Sequence, residues 1–138
     1  MQSPKLVASV VNSGGGFALD EHGHILCSNS VVIMCPDENT IDTYYLLGVL
    51  NSSVFKVWGQ HRMPNLGSGW YSYRINIMRN FPVPTLQSGK KQDLCSKIAD
   101  LTRVLLSGGS DKDNYSNIIS SIDNKVIELY DISDILPL

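Results

Sequence analysis

The stretch YLLGVLNSSVFKVWGQHRMPNLGSGWYSYRINIMRNFPVP, residues 45–84, decides the fold, because a helical apolar stripe runs there into a polar loop rich in aromatic and basic side chains. Leu47, Leu50, Val54, Val57 and Trp58 recur at helical spacing and so share a face that must be buried. Asn51-Ser52-Ser53 interrupts the stripe with a break and a fresh N-cap, which predicts two short helices or one kinked helix reaching Gln60. Asn39 or Thr40 is placed to cap the first. Past Gln60 the periodicity stops. His61, Arg62, Asn65, Ser68, Trp70, Tyr71, Tyr73 and Arg74 follow, punctuated by Pro64, Gly67 and Gly69. Trp70 to Ile77 reads as a strand from its aromatic and β-branched content, and Phe81-Pro82-Val83-Pro84 as an extended exit that its prolines bar from helix.

Working outward, Leu6–Val11 is a β-branched run closed by Asn12-Ser13-Gly14-Gly15-Gly16, with Phe17-Ala18-Leu19 as the return strand of a hairpin. Ile25-Leu26-Cys27 and Val31–Met34 add two strands before Pro36. On the other side, Leu94, Ile98, Leu101 and Leu105 form a helical seam that ends at Gly108-Gly109, and Ile118, Ile122, Val126 and Leu129 answer it after a turn of about eight residues. Ser133 is available to cap one last turn carrying Ile135 and Leu136. The expected fold class is α+β: a small, mostly antiparallel sheet, a central helical segment and a C-terminal antiparallel helical hairpin. Residues 1–138 are expected to form one domain, divided into a sheet (1–36), a central helix with recognition loop and strand (37–86), and the helical hairpin and tail (87–138).

At 138 residues the chain is long enough to bury a core without disulfides or metals. No apolar run approaches the roughly 18 residues of a membrane span, and MQSPKLVAS lacks the basic-then-apolar pattern of a secretory leader. Three irregularly spaced cysteines fit reduced thiols, so a cytoplasmic location is expected. The net charge of −2 argues on its face against a polyanion partner. Its distribution points the other way: no acid occurs from Thr43 to Gln92, where Lys56, Arg62, Arg74, Arg79, Lys90 and Lys91 all fall, leaving five bases against thirteen acids elsewhere. An acid-free window of this length also arises by chance.

Catalytic motifs are not found: no G-x-G-x-x-G after a strand, no G-K-[ST] after a glycine loop, no H-E-x-x-H. Gly14-Gly15-Gly16 lacks the lysine and helix of a phosphate cradle and fits a hairpin turn. His22, His24, Cys27 and Cys35 carry zinc-ligating chemistry, but their spacing departs from the paired knuckles of structural sites, and buried thiols and turn histidines are the blander explanation. No metal site is expected, and a nucleophilic cysteine or serine working with His61 would have no third residue to orient it.

The loop supports binding better. Arginine offers a planar fork for phosphate or for guanine O6 and N7, asparagine pairs the N6 and N7 edge of adenine, and an aromatic ring stacks on an unpaired base. Arg62, Asn65, Ser68 and Arg74 lead, with His61, Tyr71 and Tyr73 beside them and Lys56 and Arg79 as phosphate contacts or solvated charges. Strand alternation puts Tyr71 and Tyr73 on one face and Trp70 on the other, so either the pair or Trp70 is core.

The order of pieces resembles the C-terminal specificity, or target recognition, domain of TaqI-like adenine-specific DNA methyltransferases and of type IIG restriction-modification enzymes. The likeness is carried by Tyr45-Leu46-Leu47-Gly48-Val49-Leu50-Asn51-Ser52, by Tyr71-Ser72-Tyr73-Arg74 and by Asn80-Phe81-Pro82-Val83-Pro84, and more loosely by Phe17-Ala18-Leu19-Asp20 and Ile127-Glu128-Leu129-Tyr130. The resemblance implies the recognition half of such an enzyme, working on double-stranded DNA and without catalysis of its own, since no Asn-Pro-Pro-Tyr occurs. It further implies a methyltransferase domain, upstream in the same polypeptide or in a separate subunit, on which S-adenosylmethionine would sit; no cofactor is expected in this chain. The rival expectation is a protein-interaction module using the helical hairpin and the aromatic loop, and a weaker third is a small zinc-dependent enzyme.

Overall fold

The computed structural model describes residues 4–14, 16–21, 31–37, 40–84, 89–108 and 112–130. Five helices and two small antiparallel three-stranded sheets make up an α+β fold. In the first sheet β1 (Lys5–Ser9) lies between β3 (Ala18–Asp20) and β4 (Val31–Met34), with Leu6 opposite both Leu19 and Met34 and Lys5 opposite Asp20. Alternation along β1 turns Leu6 and Ala8 inward onto Val32 and the helices, and Lys5 pairs with the buried Asp20 at 3.7 Å. The proposed Ile25–Cys27 strand, Gly15, Asn39, the Ser110-to-Asp111 part of the helical turn and the last turn after Ser133 lie outside the described residues.

A second sheet departs from the sequence expectation. After the bend at Val10 the chain does not turn back at once. β2 (Val11–Asn12) crosses into a sheet of order β2-β6-β5, where β6 (Trp70–Ser72) takes Val11 opposite Ser72 and Asn12 opposite Tyr71. The strands described within the first 36 residues are therefore shared between two sheets, and the Val10 carbonyl accepts from the Tyr73 amide at 2.7 Å at the corner. The expected Trp70-to-Ile77 strand is also shorter. It stops at Ser72, and Ile75–Met78 forms one helical turn, α3, closed by amides of Ile77 and Met78 on the Arg74 carbonyl.

Helix α1 (Thr43–Leu50) is capped by Asp42, not Asn39 or Thr40, and is buried on nearly every side, only Tyr44 reaching partly to solvent. A helix apolar all round must be enclosed. It is enclosed by α4 (Lys90–Ser107) and α5 (Lys112–Tyr130), two long helices joined by only residues 108–111. The seam Leu94, Ile98, Ile118, Ile122, Val126 and Leu129 is buried as expected, with Leu101 and Leu105 at its margin. No helix among the described residues is long and apolar enough to cross a membrane.

Helix α2 (Ser53–Arg62) follows the break at Asn51-Ser52, with Ser52 as its N-cap. The break rephases the buried face, so that Val54, Phe55, Gly59 and then Met63 turn inward while Val57 and Trp58 are half-buried. Phe55 becomes the centre of an aromatic cluster, with ring centroids 4.9 Å from Phe81, 5.8 Å from Trp58 and 5.9 Å from both Phe17 and Tyr73. The extended exit Phe81–Pro84 pairs with no strand among the described residues, and two tyrosine hydroxyls bond its carbonyls: Tyr45 donates to Pro84 at 2.7 Å and Tyr130 to Pro82 at 2.6 Å. Burial, with Cys95 adding to it, pushes both phenols well above their ordinary pKa, so they stay protonated donors.

Gly48 sets how closely α1 can approach its neighbours. A Cβ there would lie 2.8 Å from both Ile98 Cγ2 and Thr102 Oγ1, and Thr102 is pinned by its own hydrogen bond to the Ile98 carbonyl. Gly48→Val is expected to lower unfolding free energy by about 2 kcal/mol or more through overpacking, read as a fall in urea midpoint. An unchanged midpoint would mean that α1 is not pressed against α4.

Candidate functional site

The candidate residues lie on α2, on the hairpin of β5 (Asn65–Gly67) and β6, and at the two ends of α3. His61 and Arg62 occupy the last turn of α2 and are exposed, where cations also complement the negative pole of the helix. The Arg62 guanidinium carbon sits 5.9 Å from the ring centre of Trp58, one turn back. Lys56 is exposed as well. Its aliphatic stem runs over Gly14, where an added Cβ would come within 2.5 Å of Lys56 Cγ, so this cation stands beside the end of β2. Arg74 and Arg79 flank α3, both exposed.

Hairpin geometry decides which loop side chains face out. Gly67 pairs with Trp70 across Ser68 and Gly69, whose φ values of 55° and 81° are those of a tight turn with both central residues left-handed. Register then shifts, with Asn65 opposite Tyr71, and the extra residue of this bulge, Leu66, is left in solvent. The Asn65 carboxamide oxygen accepts from the Gly67 amide at 2.7 Å, which shapes the bulge. Part of the edge that would pair adenine is thus used inside the hairpin. Ser68 stands exposed at the turn.

Alternation settles the choice between the tyrosine pair and the tryptophan. Tyr71 is half-buried against the core and Tyr73 fully buried, whereas Trp70 on the opposite side is 49 % exposed. Tyr73 is therefore not available to a ligand, contrary to the sequence expectation. Its ring packs on Phe55, and its hydroxyl lies against Gly59, where an added Cβ would stand 2.8 Å away. Among the described residues that hydroxyl has no hydrogen-bond partner, and burial, with Tyr71 beside it, raises its pKa. Trp70 and Leu66, neither among the expected contacts, are the apolar side chains that the hairpin leaves exposed. Trp70 shares its face with Ser72 by strand alternation, a placement readable from the sequence, whereas the exposure of Leu66 comes from the bulge.

Charge is arranged in two regions. No carboxylate among the described residues lies within ion-pair distance of Lys56, Arg62, Arg74 or Arg79. On the helical side cations and acids meet: Lys90 lies 3.0 Å from Glu128, and Arg103 bridges Asp100 at 3.0 Å and the α1 cap Asp42 while lying 4.8 Å from the Tyr44 ring centre. Lys90, counted with the acid-free window by sequence, therefore belongs to the helix pair. Four exposed arginines and lysines with polar hairpin side chains can bind phosphates and base edges; they hold no paired acid and base. A groove of about 270 Å³ between the start of α1 and α4 offers no such pair either, since Asp42 is committed to its cap and Arg103, and Tyr45 to Pro84.

Among the described residues no group of three or more histidines, cysteines or acids is placed to hold a metal. Of the cysteine-histidine set, Cys35 is exposed and free, and His22, His24 and Cys27 lie outside the described residues.

Residues 1–83, more than half of the chain, match the family described as TaqI-like C-terminal specificity domain. No curated protein matches the chain. A specificity-domain family supports a DNA-recognition role in methylation or restriction systems and implies no catalytic activity by itself.

Because the Tyr73 hydroxyl is buried without a partner, Tyr73→Phe should raise unfolding free energy by about 1 kcal/mol, the desolvation cost of that group. Thermal denaturation reads it; a loss of more than about 1 kcal/mol would show that the hydroxyl has a partner after all.

Proposed function

This chain belongs to the TaqI-like C-terminal specificity domain family, and we propose that it is the sequence-specific DNA recognition domain of an adenine-specific methyltransferase or restriction-modification enzyme of type II. The observation that carries the proposal is the separation of charge. Lys56, Arg62, Arg74 and Arg79 stand in solvent around the second sheet with no carboxylate of the described residues against them, while Asp42 and Asp100 face Arg103 and Glu128 faces Lys90 on the helical side. An overall negative protein can approach a polyanion on such a face.

In this reading His61, Arg62, Asn65, Ser68, Tyr71 and Arg74 meet base edges and phosphates in a groove, and Lys56 and Arg79 hold the backbone on either side. Tyr73 is withdrawn from the set because it is core. Chemistry would come from a methyltransferase domain, upstream in the same polypeptide or in a separate subunit, which binds S-adenosylmethionine and extrudes the adenine while this chain holds the duplex. A cytoplasmic setting fits that role.

One observation favours a protein contact as well. Val104, Leu106, Tyr115 and Ile119 are each between 43 and 49 % exposed near the connected ends of α4 and α5. In the rival reading that patch and the aromatic hairpin bind another chain and no nucleic acid.

Salt dependence separates the two. Duplex affinity should fall steeply with added salt, and Arg62→Ala and Arg74→Ala should each weaken binding and reduce the slope of log affinity against log salt by about 1, with far-UV circular dichroism unchanged. Wild-type affinity and slope in both variants would overturn the assignment of the face.

A further inference from the structure

We infer that the tip of the β5–β6 hairpin is an apolar wedge, with Trp70 stacking on a base exposed by an opened step of the bound duplex and Leu66 filling the groove beside it. This rests on the DNA-recognition reading above and deepens it, because nothing in that reading requires a contact other than cations and hydrogen bonds.

The hairpin is an unusual place to leave apolar area. Trp70 is 49 % and Leu66 55 % exposed, and Val11, which faces the same side through its pairing with Ser72, is 46 % exposed. Soluble domains seldom gather large apolar side chains on the outside of a three-stranded sheet without a partner. Here the local structure holds them out. The bulge that displaces Leu66 is fixed by the Asn65-to-Gly67 hydrogen bond, and the turn that brings Trp70 back needs positive φ at Gly67, Ser68 and Gly69 together. A positive φ at a serine is a strained choice that a longer loop would avoid. The result is a hairpin whose Gly67–Trp70 end extends past the β2 pairing and carries the apolar side chains.

What covers that end follows from the charges next to it. Arg62 lies three positions before the hairpin and Arg74 two positions after it, and no described carboxylate pairs with either. An apolar protein ligand would leave these cations desolvated and unmatched, whereas duplex DNA offers phosphates on both sides of a groove and apolar ring faces within it. The hairpin tip beyond the β2 pairing is narrow enough to enter a groove, and apolar side chains that enter one do so by parting adjacent bases. Trp70 supplies a face for stacking that tolerates any base, so the wedge contributes affinity for opened DNA and little sequence choice.

The test uses the 138-residue chain and two short duplexes of equal sequence, one intact and one with a central abasic site that leaves a ready-made opening. The wild-type chain should bind the abasic duplex about tenfold more tightly, the scale of one base–aromatic stack. Trp70→Ala should bind both alike and keep the wild-type salt slope, and Trp70→Tyr, which retains a ring, should restore most of the preference. Equal wild-type affinity for the two duplexes, or a preference that survives Trp70→Ala, overturns the wedge while leaving DNA recognition in place. Salt-insensitive binding, or none, to either duplex overturns the wedge together with the reading beneath it.

Discussion

Three consecutive polar residues at the break between α1 and α2 hold the molecule together. Asn51 pairs with both backbone groups of Phe17, accepting from its amide at 2.8 Å and donating to its carbonyl at 3.0 Å, so one side chain takes the place of a neighbouring strand. Ser52 caps α2 and donates back to the Val49 carbonyl at 2.6 Å. Ser53 gives its amide and hydroxyl to the Asp123 carboxylate at 2.7 and 2.8 Å, which ties the positive end of α2 to α5. The sheet, both central helices and the long helix pair are thereby referred to one point. Each bond is part-buried or buried, and removing a partner would strand the other group at a cost of about 1–3 kcal/mol.

From that point the aromatic cluster carries the constraint outward. Phe55, on the first turn of α2, touches Phe17 beside the Asn51 anchor, Tyr73 at the end of β6 and Phe81 in the exit segment, and Phe81 stacks on Tyr130 of α5 at 5.8 Å. The hairpin and the two ends of α3 are exposed beside this packed frame. Arg74 and Arg79 stand at the two ends of α3 and Lys56 and Arg62 on the exposed side of α2, so the cations that would meet DNA are mounted on or beside a packed support.

Much of this was legible in residue patterns. The Asn51-Ser52-Ser53 break, the paired helical seams and the β1–β3 pairing follow from cap chemistry and from periods of 3.6 and 2. The failures have identifiable causes. A strand of two residues, Val11–Asn12, has no period to detect, and its partner lies about sixty residues away at Tyr71 and Ser72. Ile75–Met78 looks like a strand by composition, but the chain has already left the sheet at Tyr73, and one turn of helix closes on the Arg74 carbonyl instead. Phe55 was missed because the break rotates the buried face of α2 relative to the stripe begun in α1. Of the candidate site, exposure of the arginines was readable from the polar setting, whereas the burial of Tyr73 and the extrusion of Leu66 depend on a bulge that only pairing creates.

The most direct measurement is amide chemical-shift mapping of the isotopically labelled chain as duplex DNA is added at low salt. Shifts confined to the last turn of α2, the β5–β6 hairpin and α3, with α4 and α5 unmoved, are the expected result for a positive face mounted on a neutral frame. Shifts concentrated on α4 and α5, with the hairpin silent, would contradict it.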